Sequence, residues 1–91
     1  MEKISLAQVE RALRDEALSH FNLLGPETGR ADEVGIVRDK EQWRVYSTDE
    51  RANPLYVHTY EDESDALTDF LSKVRVTNKY FAARRERLQR R

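Results

Sequence analysis

Val34-Gly35-Ile36-Val37-Arg38-Asp39-Lys40-Glu41-Gln42-Trp43-Arg44-Val45-Tyr46-Ser47-Thr48 carries two apolar runs on either side of a polar turn. Residues 34–38 read as a short strand, with Gly35 marking a close backbone approach. Residues 39–41 are the turn. Residues 42–48 alternate with period two, placing Trp43 and Val45 on one face and Arg44 and Tyr46 on the other. A turn this short predicts an antiparallel hairpin, with Trp43 in the core.

Downstream, residues 49–54 form a polar loop closed by Pro54, and residues 55–60 read as a third strand. Leu55 and Val57 share one of its faces; Tyr56, His58 and Tyr60 share the other. Glu61, Asp62, Glu63 and Asp65 follow, where carboxylates suit the positive end of a helix dipole. Ala66, Leu67, Phe70, Leu71, Val74, Asn78 and Phe81 then give one stripe of a long helix. Beyond residue 82 only Leu88 has apolar surface to bury, so the basic helical tail, residues 82–91, is expected to fray.

Upstream, Ser5 and Gln8 match the capping-box pattern that opens a helix. Leu6, Val9, Leu13, Ala17, His20 and Leu24 recur at spacings of three and four, and Gly25-Pro26 ends the run. The expected order is helix, three strands, helix. The fold class is α+β: a three-stranded antiparallel sheet packed with two helices, in a single domain spanning residues 1–91.

Charge is sorted along the chain. Residues 31–69 hold 11 acids against 4 bases, a net of −7, and residues 70–91 hold 8 bases against 1 acid, a net of +7. The formal total of −1 conceals this polarity, which can steer oppositely charged partners. There is no cysteine, which excludes a disulfide framework, a thiolate nucleophile and a cysteine zinc site. No long apolar run follows the first residues, so neither a secretory leader nor a transmembrane helix is expected, and the expected location is cytoplasmic.

Catalytic and metal chemistry find little support. His20 and His58 are the two histidines, too distant for ligand spacing, and zinc needs three or four ligands. His20 falls on the first helix stripe and reads as a partly buried core residue. The run Gly25-Pro26-Glu27-Thr28-Gly29-Arg30 lacks the closing Gly-Lys-Ser/Thr and the preceding strand of a phosphate loop. The calcium-loop pattern is absent, and no nucleophile–base set exists. The reading is not an enzyme, with no cofactor and no metal.

Binding remains. The helix–three-strand–helix order is also that of double-stranded RNA-binding domains. Those need lysines at the start of the final helix, and this chain has acids there that repel phosphate. The arginines Arg84, Arg85, Arg87, Arg90 and Arg91 keep a small nucleic-acid-binding or regulatory domain as the alternative.

Residues 29–37 (Gly-Arg-Ala-Asp-Glu-Val-Gly-Ile-Val), residues 43–51 (Trp-Arg-Val-Tyr-Ser-Thr-Asp-Glu-Arg) and residues 60–71, with acids ahead of Ala66-Leu67, together resemble another group. They resemble the small cytosolic immunity proteins of bacterial polymorphic-toxin and contact-dependent-inhibition systems. The resemblance spans residues 5–80. It implies a protein that binds a cognate toxin domain and occludes its active site or substrate groove, as a monomer or weak dimer. A nuclease toxin with a basic groove suits the acidic segment. The expected contacts are Asp49, Glu50, Tyr56, His58, Tyr60, Glu61, Asp62, Glu63 and Asp65, with Arg51 at the rim. Carboxylates would pair with toxin bases, and tyrosines would anchor.

Overall fold

The computed structural model describes residues 3–27 and 29–89. Thr28, in the glycine-bounded loop, and Arg90 and Arg91, in the basic tail, lie outside the described residues. The elements are α1 (Leu6–Asp15), β1 (Phe21–Leu23), β2 (Val34–Asp39), β3 (Gln42–Thr48), β4 (Pro54–Tyr60) and α2 (Glu63–Gln89). The sheet has four strands in the order β1-β2-β3-β4. Strands β2, β3 and β4 are antiparallel neighbours, and β1 lies parallel to β2. The fold is therefore α+β with two helices, as expected, but the sheet is mixed rather than three-stranded and antiparallel.

The extra strand comes from an early helix stop. The capping box at Ser5 forms: its Oγ accepts from Gln8 N at 3.2 Å, and its own N donates to Gln8 Oε1 at 2.7 Å. The helix then ends at Asp15 instead of running to Leu24. Leu18 N donates to Leu13 O at 2.9 Å and Ala17 N to Arg14 O at 3.1 Å, around Ala17 at φ 50°. That is a Schellman stop with alanine in the left-handed position usually held by glycine. The chain is freed to place Phe21 beside Val34 and Leu23 beside Ile36. His20 is thereby removed from the helix stripe. It is exposed at φ 64°, with its ring stacked on Phe81 at 4.6 Å.

Strand register sorts the side chains onto two faces. Phe21, Val34, Ile36, Val45, Trp43, Tyr56 and Tyr60 face the helices. Val9 and Leu13 of α1 and Ala66, Leu67, Phe70, Leu71 and Val74 of α2 complete that core, and Phe21 meets Phe70 edge to face at 6.4 Å. The two helices run in the same direction. Ile4 N donates to Ser64 Oγ at 2.9 Å near their starts, and Arg75 Nε donates to Glu16 Oε1 at 2.9 Å further along. Trp43 packs at the margin of this core, half-buried, with the Arg38 guanidinium 4.9 Å from its ring centre.

The opposite sheet face has its own small closure. Asn22, Gly35, Tyr46 and Val57 form a cross-strand row there. Tyr46 lies flat over Gly35: a Cβ at Gly35 would sit 2.1 Å from Tyr46 Cζ. The Tyr46 hydroxyl donates to Glu33 Oε2 at 2.9 Å and accepts from Asn22 Nδ2 at 3.2 Å. The segment between β1 and β2 crosses this face. Asn22 Nδ2 donates to Pro26 O at 2.9 Å, Thr48 Oγ1 donates to Arg30 O at 2.8 Å, and Arg44 pairs with Glu27. Tyr46 and Glu33 are buried beneath it, at 5% and 4% exposure.

Candidate binding surface

The ten expected contact residues do not form one patch. Three arrangements hold them, set by strand direction.

The first is the loop after β3. Asp49 Oδ1 accepts from Arg51 N and Asn53 N, both at 2.8 Å, and these backbone donors hold its carboxyl below the usual aspartate range. Asp49 thus shapes the loop that turns β3 into β4. Glu50 and Arg51 are exposed at its tip.

The second is the aromatic row of β4, and here the expected orientation is reversed. Tyr56 and Tyr60 point at α2 and pack against the core, half-buried. Both hydroxyls donate to Asp69 Oδ2 at 2.9 Å, and Lys73 Nζ donates to Asp69 Oδ1 at 2.7 Å. Lys73 also sits 4.0 Å from the Tyr56 ring centre. Burial works to raise the Asp69 carboxyl, but the bonds from Lys73, Tyr56 and Tyr60 outweigh it and hold the group below its ordinary value. Burial, then hydrogen bonding with Tyr56 and Asp69, pushes the Tyr60 phenol far above its ordinary value. These tyrosines are spent on joining β4 to α2. His58 alone of the row is exposed, its ring 4.5 Å from that of Tyr60 and 6.1 Å from that of Tyr56. The residues that β4 turns outward are Leu55 and Val57, 69% and 52% exposed.

The third is the end of the sheet where α2 begins. Register sets Trp43 opposite both Arg38 and Tyr60, so the β2–β3 turn lies beside the β4–α2 junction. Asp39 and Glu41 from the turn and Glu61, Glu63 and Asp65 from the junction are all exposed there. A surface hollow of about 620 Å³ is lined by Asp39, Trp43 and Glu63 together, with Arg38 and Arg44 also in its wall. Asp62 differs from its neighbours. Its Oδ1 accepts from Ser64 N at 2.7 Å and its Oδ2 from Lys3 Nζ at 3.3 Å, which lowers its carboxyl. It caps α2 and ties the N-terminal segment to it. Asp39 and Glu41 of the β2–β3 turn are not among the ten expected contacts. The closeness of this turn to the junction follows from strand register, which periodicity does not report.

Asp49 and Glu50 lie at the opposite end of β3, one strand length away, roughly 20 Å for seven residues. There a groove of about 690 Å³ runs between the sheet and the flank of α2, lined among others by Asp32, Asp49, Glu50, Leu55, Val76, Tyr80 and Arg84. Helix α2, 27 residues and so about 40 Å long, overhangs the sheet past Phe81. Its exposed end carries Arg84, Arg85 and Arg87.

Among the described residues no group of three or more His, Cys, Asp or Glu is arranged to hold a metal ion, and no helix is long and apolar enough to cross a membrane. No family model, curated protein or solved structure matches the chain.

Proposed function

We propose that this chain acts by binding rather than turnover, as a cytoplasmic immunity-type protein that neutralises a cognate bacterial toxin domain by covering its active site or substrate groove. The observation that carries the reading is the meeting of Asp39 and Glu41 with Glu61, Glu63 and Asp65 at one sheet end. Two separate chain segments supply exposed carboxylates to one surface, the junction with a net negative charge and the turn with Asp39 and Glu41 alternating with exposed Arg38 and Lys40. Helix capping accounts for Asp62, but it gives no reason for the acids of the β2–β3 turn. Such a surface is steered toward a basic groove and competes there for phosphate sites, as on a nuclease. The resemblance of residues 29–37, 43–51 and 60–71 to immunity proteins supports the same reading.

The contact set is accordingly centred on Asp39, Glu41, Glu61, Glu63 and Asp65, with exposed His58 beside it; Tyr56 and Tyr60 act as supports, not anchors. The test is affinity for the toxin domain and protection from it. Glu61→Lys, Glu63→Lys and Asp65→Lys together should abolish both while circular dichroism stays native, because Asp62 keeps its cap. Undiminished protection by this variant overturns the reading.

The second reading is nucleic-acid binding through the overhanging end of α2, favoured by the exposed Arg84, Arg85 and Arg87. A duplex gel shift at physiological salt, lost on replacing those three by glutamate, would establish it in place of the first.

A further inference from the structure

Among the described residues six large hydrophobic side chains are exposed, and three of them, Val76, Tyr80 and Leu88, lie on one i, i+4 ridge of α2, at 63%, 55% and 63% exposure. Arg84 completes the ridge. Exposed apolar groups scattered singly need no explanation; a ridge continuous with a groove does. The groove is the one between α2 and the loop after β3. Its helix wall is Val76, Tyr80 and Arg84, its floor includes Leu55, and its sheet wall carries Asp32, Asp49 and Glu50.

The overhanging helix end and the groove complement each other. The end beyond the groove offers Leu88 with Arg85 and Arg87; the groove offers apolar surface, a carboxylate wall and its own Arg84. One copy cannot bring them together, because α2 is continuous and Leu88 lies twelve residues, about 18 Å, along the axis from Val76. Two copies can. With the α2 helices antiparallel about a two-fold axis level with Ala82, Leu88 of each copy meets Val76 of the other, and Arg84 of each meets Tyr80 and the carboxylate wall of the other. Ridges of the i, i+4 type packed on each other cross at about −50°, the commonest helix pairing. We infer that this face is a self-complementary dimer interface, in which the basic end of α2 of each copy seats in the acidic-walled groove of its twin. A nucleic acid is a poorer occupant, since the carboxylate wall repels phosphate.

The interface is isologous, so each contact occurs twice. Its helix contact is a single pair of helix ends, so a weak, concentration-dependent dimer is expected. The acidic sheet ends are left pointing outward, because Glu63 lies about 28 Å along α2 from the axis. This inference does not depend on the toxin reading.

The test is sedimentation equilibrium of the full chain over a concentration series at low and high salt. A monomer–dimer equilibrium that weakens with salt is expected. Leu88→Glu should lower dimer association at least about tenfold, since it sets a carboxylate against apolar surface and the acidic wall. Glu50→Arg alone and Arg84→Glu alone should each be monomeric, because like charges then meet twice. An equimolar mixture of the two should regain the wild-type dimer fraction, since both pairs become opposite again. Wild type that stays monomeric throughout overturns the proposal, including the case in which the groove proves to take only a toxin or nucleic acid. So does a dimer that survives Leu88→Glu, or a mixture that fails to associate. Circular dichroism of each variant confirms folding; if Glu50→Arg disturbs the loop, Leu88→Glu and Arg84→Glu, both on the overhanging helix end, decide the matter.

Discussion

Gly35 offers the sharpest test of how the sheet is closed on the face away from the helices. An added methyl group would lie 2.1 Å from Tyr46 Cζ, 2.2 Å from Cε1 and 2.3 Å from the hydroxyl oxygen. Ordinary contact needs the ring to retreat by more than about 1 Å. It has little room to do so, because Tyr46 is 5% exposed beneath the β1–β2 segment. Overpacking of this kind costs about 1–3 kcal/mol. The retreat also breaks the 2.9 Å bond to the Glu33 carboxylate, which is buried, and that adds about 1–3 kcal/mol. Gly35→Ala should therefore destabilise by about 3–4 kcal/mol, roughly 12–30 °C in melting temperature for a domain of this size. Tyr46→Ala should cost about 3 kcal/mol by itself, through lost packing. The double variant should cost no more than Tyr46→Ala, since the methyl group then meets no ring. Tyr46→Phe isolates the hydroxyl and should cost about 1–2 kcal/mol. Thermal and urea unfolding of all four give the cycle. Additive costs for Gly35→Ala and Tyr46→Ala would show that the ring does not lie on the glycine, and the reasoning would fail.

Other expectations follow from the same structure. Asp69→Ala should cost about 2–3 kcal/mol, because Tyr56, Tyr60 and Lys73 lose a shared acceptor. The lowered carboxyls of Asp69, Asp49 and Asp62 contribute stability that is present above the ordinary aspartate range and is lost as pH falls through their depressed folded values. An acid titration of the unfolding free energy should show this loss below about pH 4, less steeply in Asp69→Asn. Trp43→Ala should cost about 2–3 kcal/mol, less than a fully buried tryptophan, because Trp43 sits at the core margin under Arg38; an unchanged melting temperature would place it outside the core. Ala17→Gly should stabilise by about 0.5–1 kcal/mol, since φ is 50° there and glycine carries no Cβ penalty; a lower melting temperature would refute the assigned helix stop.

Much of the fold could be read from residue order. Alternation in residues 42–48 located β3 and its hairpin, and Ser5 with Gln8 located the start of α1. β1 escaped because Phe21-Asn22-Leu23 is too short to show alternation and lies inside a run with helical spacing. The real helix stop uses Ala17, which carries no punctuation signal, whereas Gly25-Pro26 does. The two faces of β4 were also ambiguous. Leu55 and Val57 look like the inward pair, and tyrosines look like the outward one. A tyrosine can be packed inward if its hydroxyl finds an acceptor, and Asp69, nine and thirteen residues further on, supplies it to both. The acids of the candidate site were legible as a run but not as a place. β4 intervenes between residues 49–50 and 61–65 and carries them to opposite ends of the sheet.

The charge sorting now divides into parts with different causes. Acids in the first turn of α2 and arginine in its last turn complement the helix dipole, an effect confined to about one turn at each end. Asp39 and Glu41 lie on no helix, and Arg84 stands more than a turn from the end at Gln89. Those charges bring no dipole stabilisation; Arg84 augments the basic pole, whereas Asp39 and Glu41 alternate with exposed Arg38 and Lys40 and leave their turn without net charge. A surface that collects like charge from separate elements bears a self-repulsion that folding alone does not require. The repulsion is relieved when an oppositely charged surface covers it. The basic pole has such a surface within reach in a second copy, through the wall of Asp32, Asp49 and Glu50. The acidic pole has none left on its twin once the arginines are seated, and under the proposed function its complement is the basic groove of a toxin domain. Two poles with two separate partners account for the sorting more fully than either partner alone.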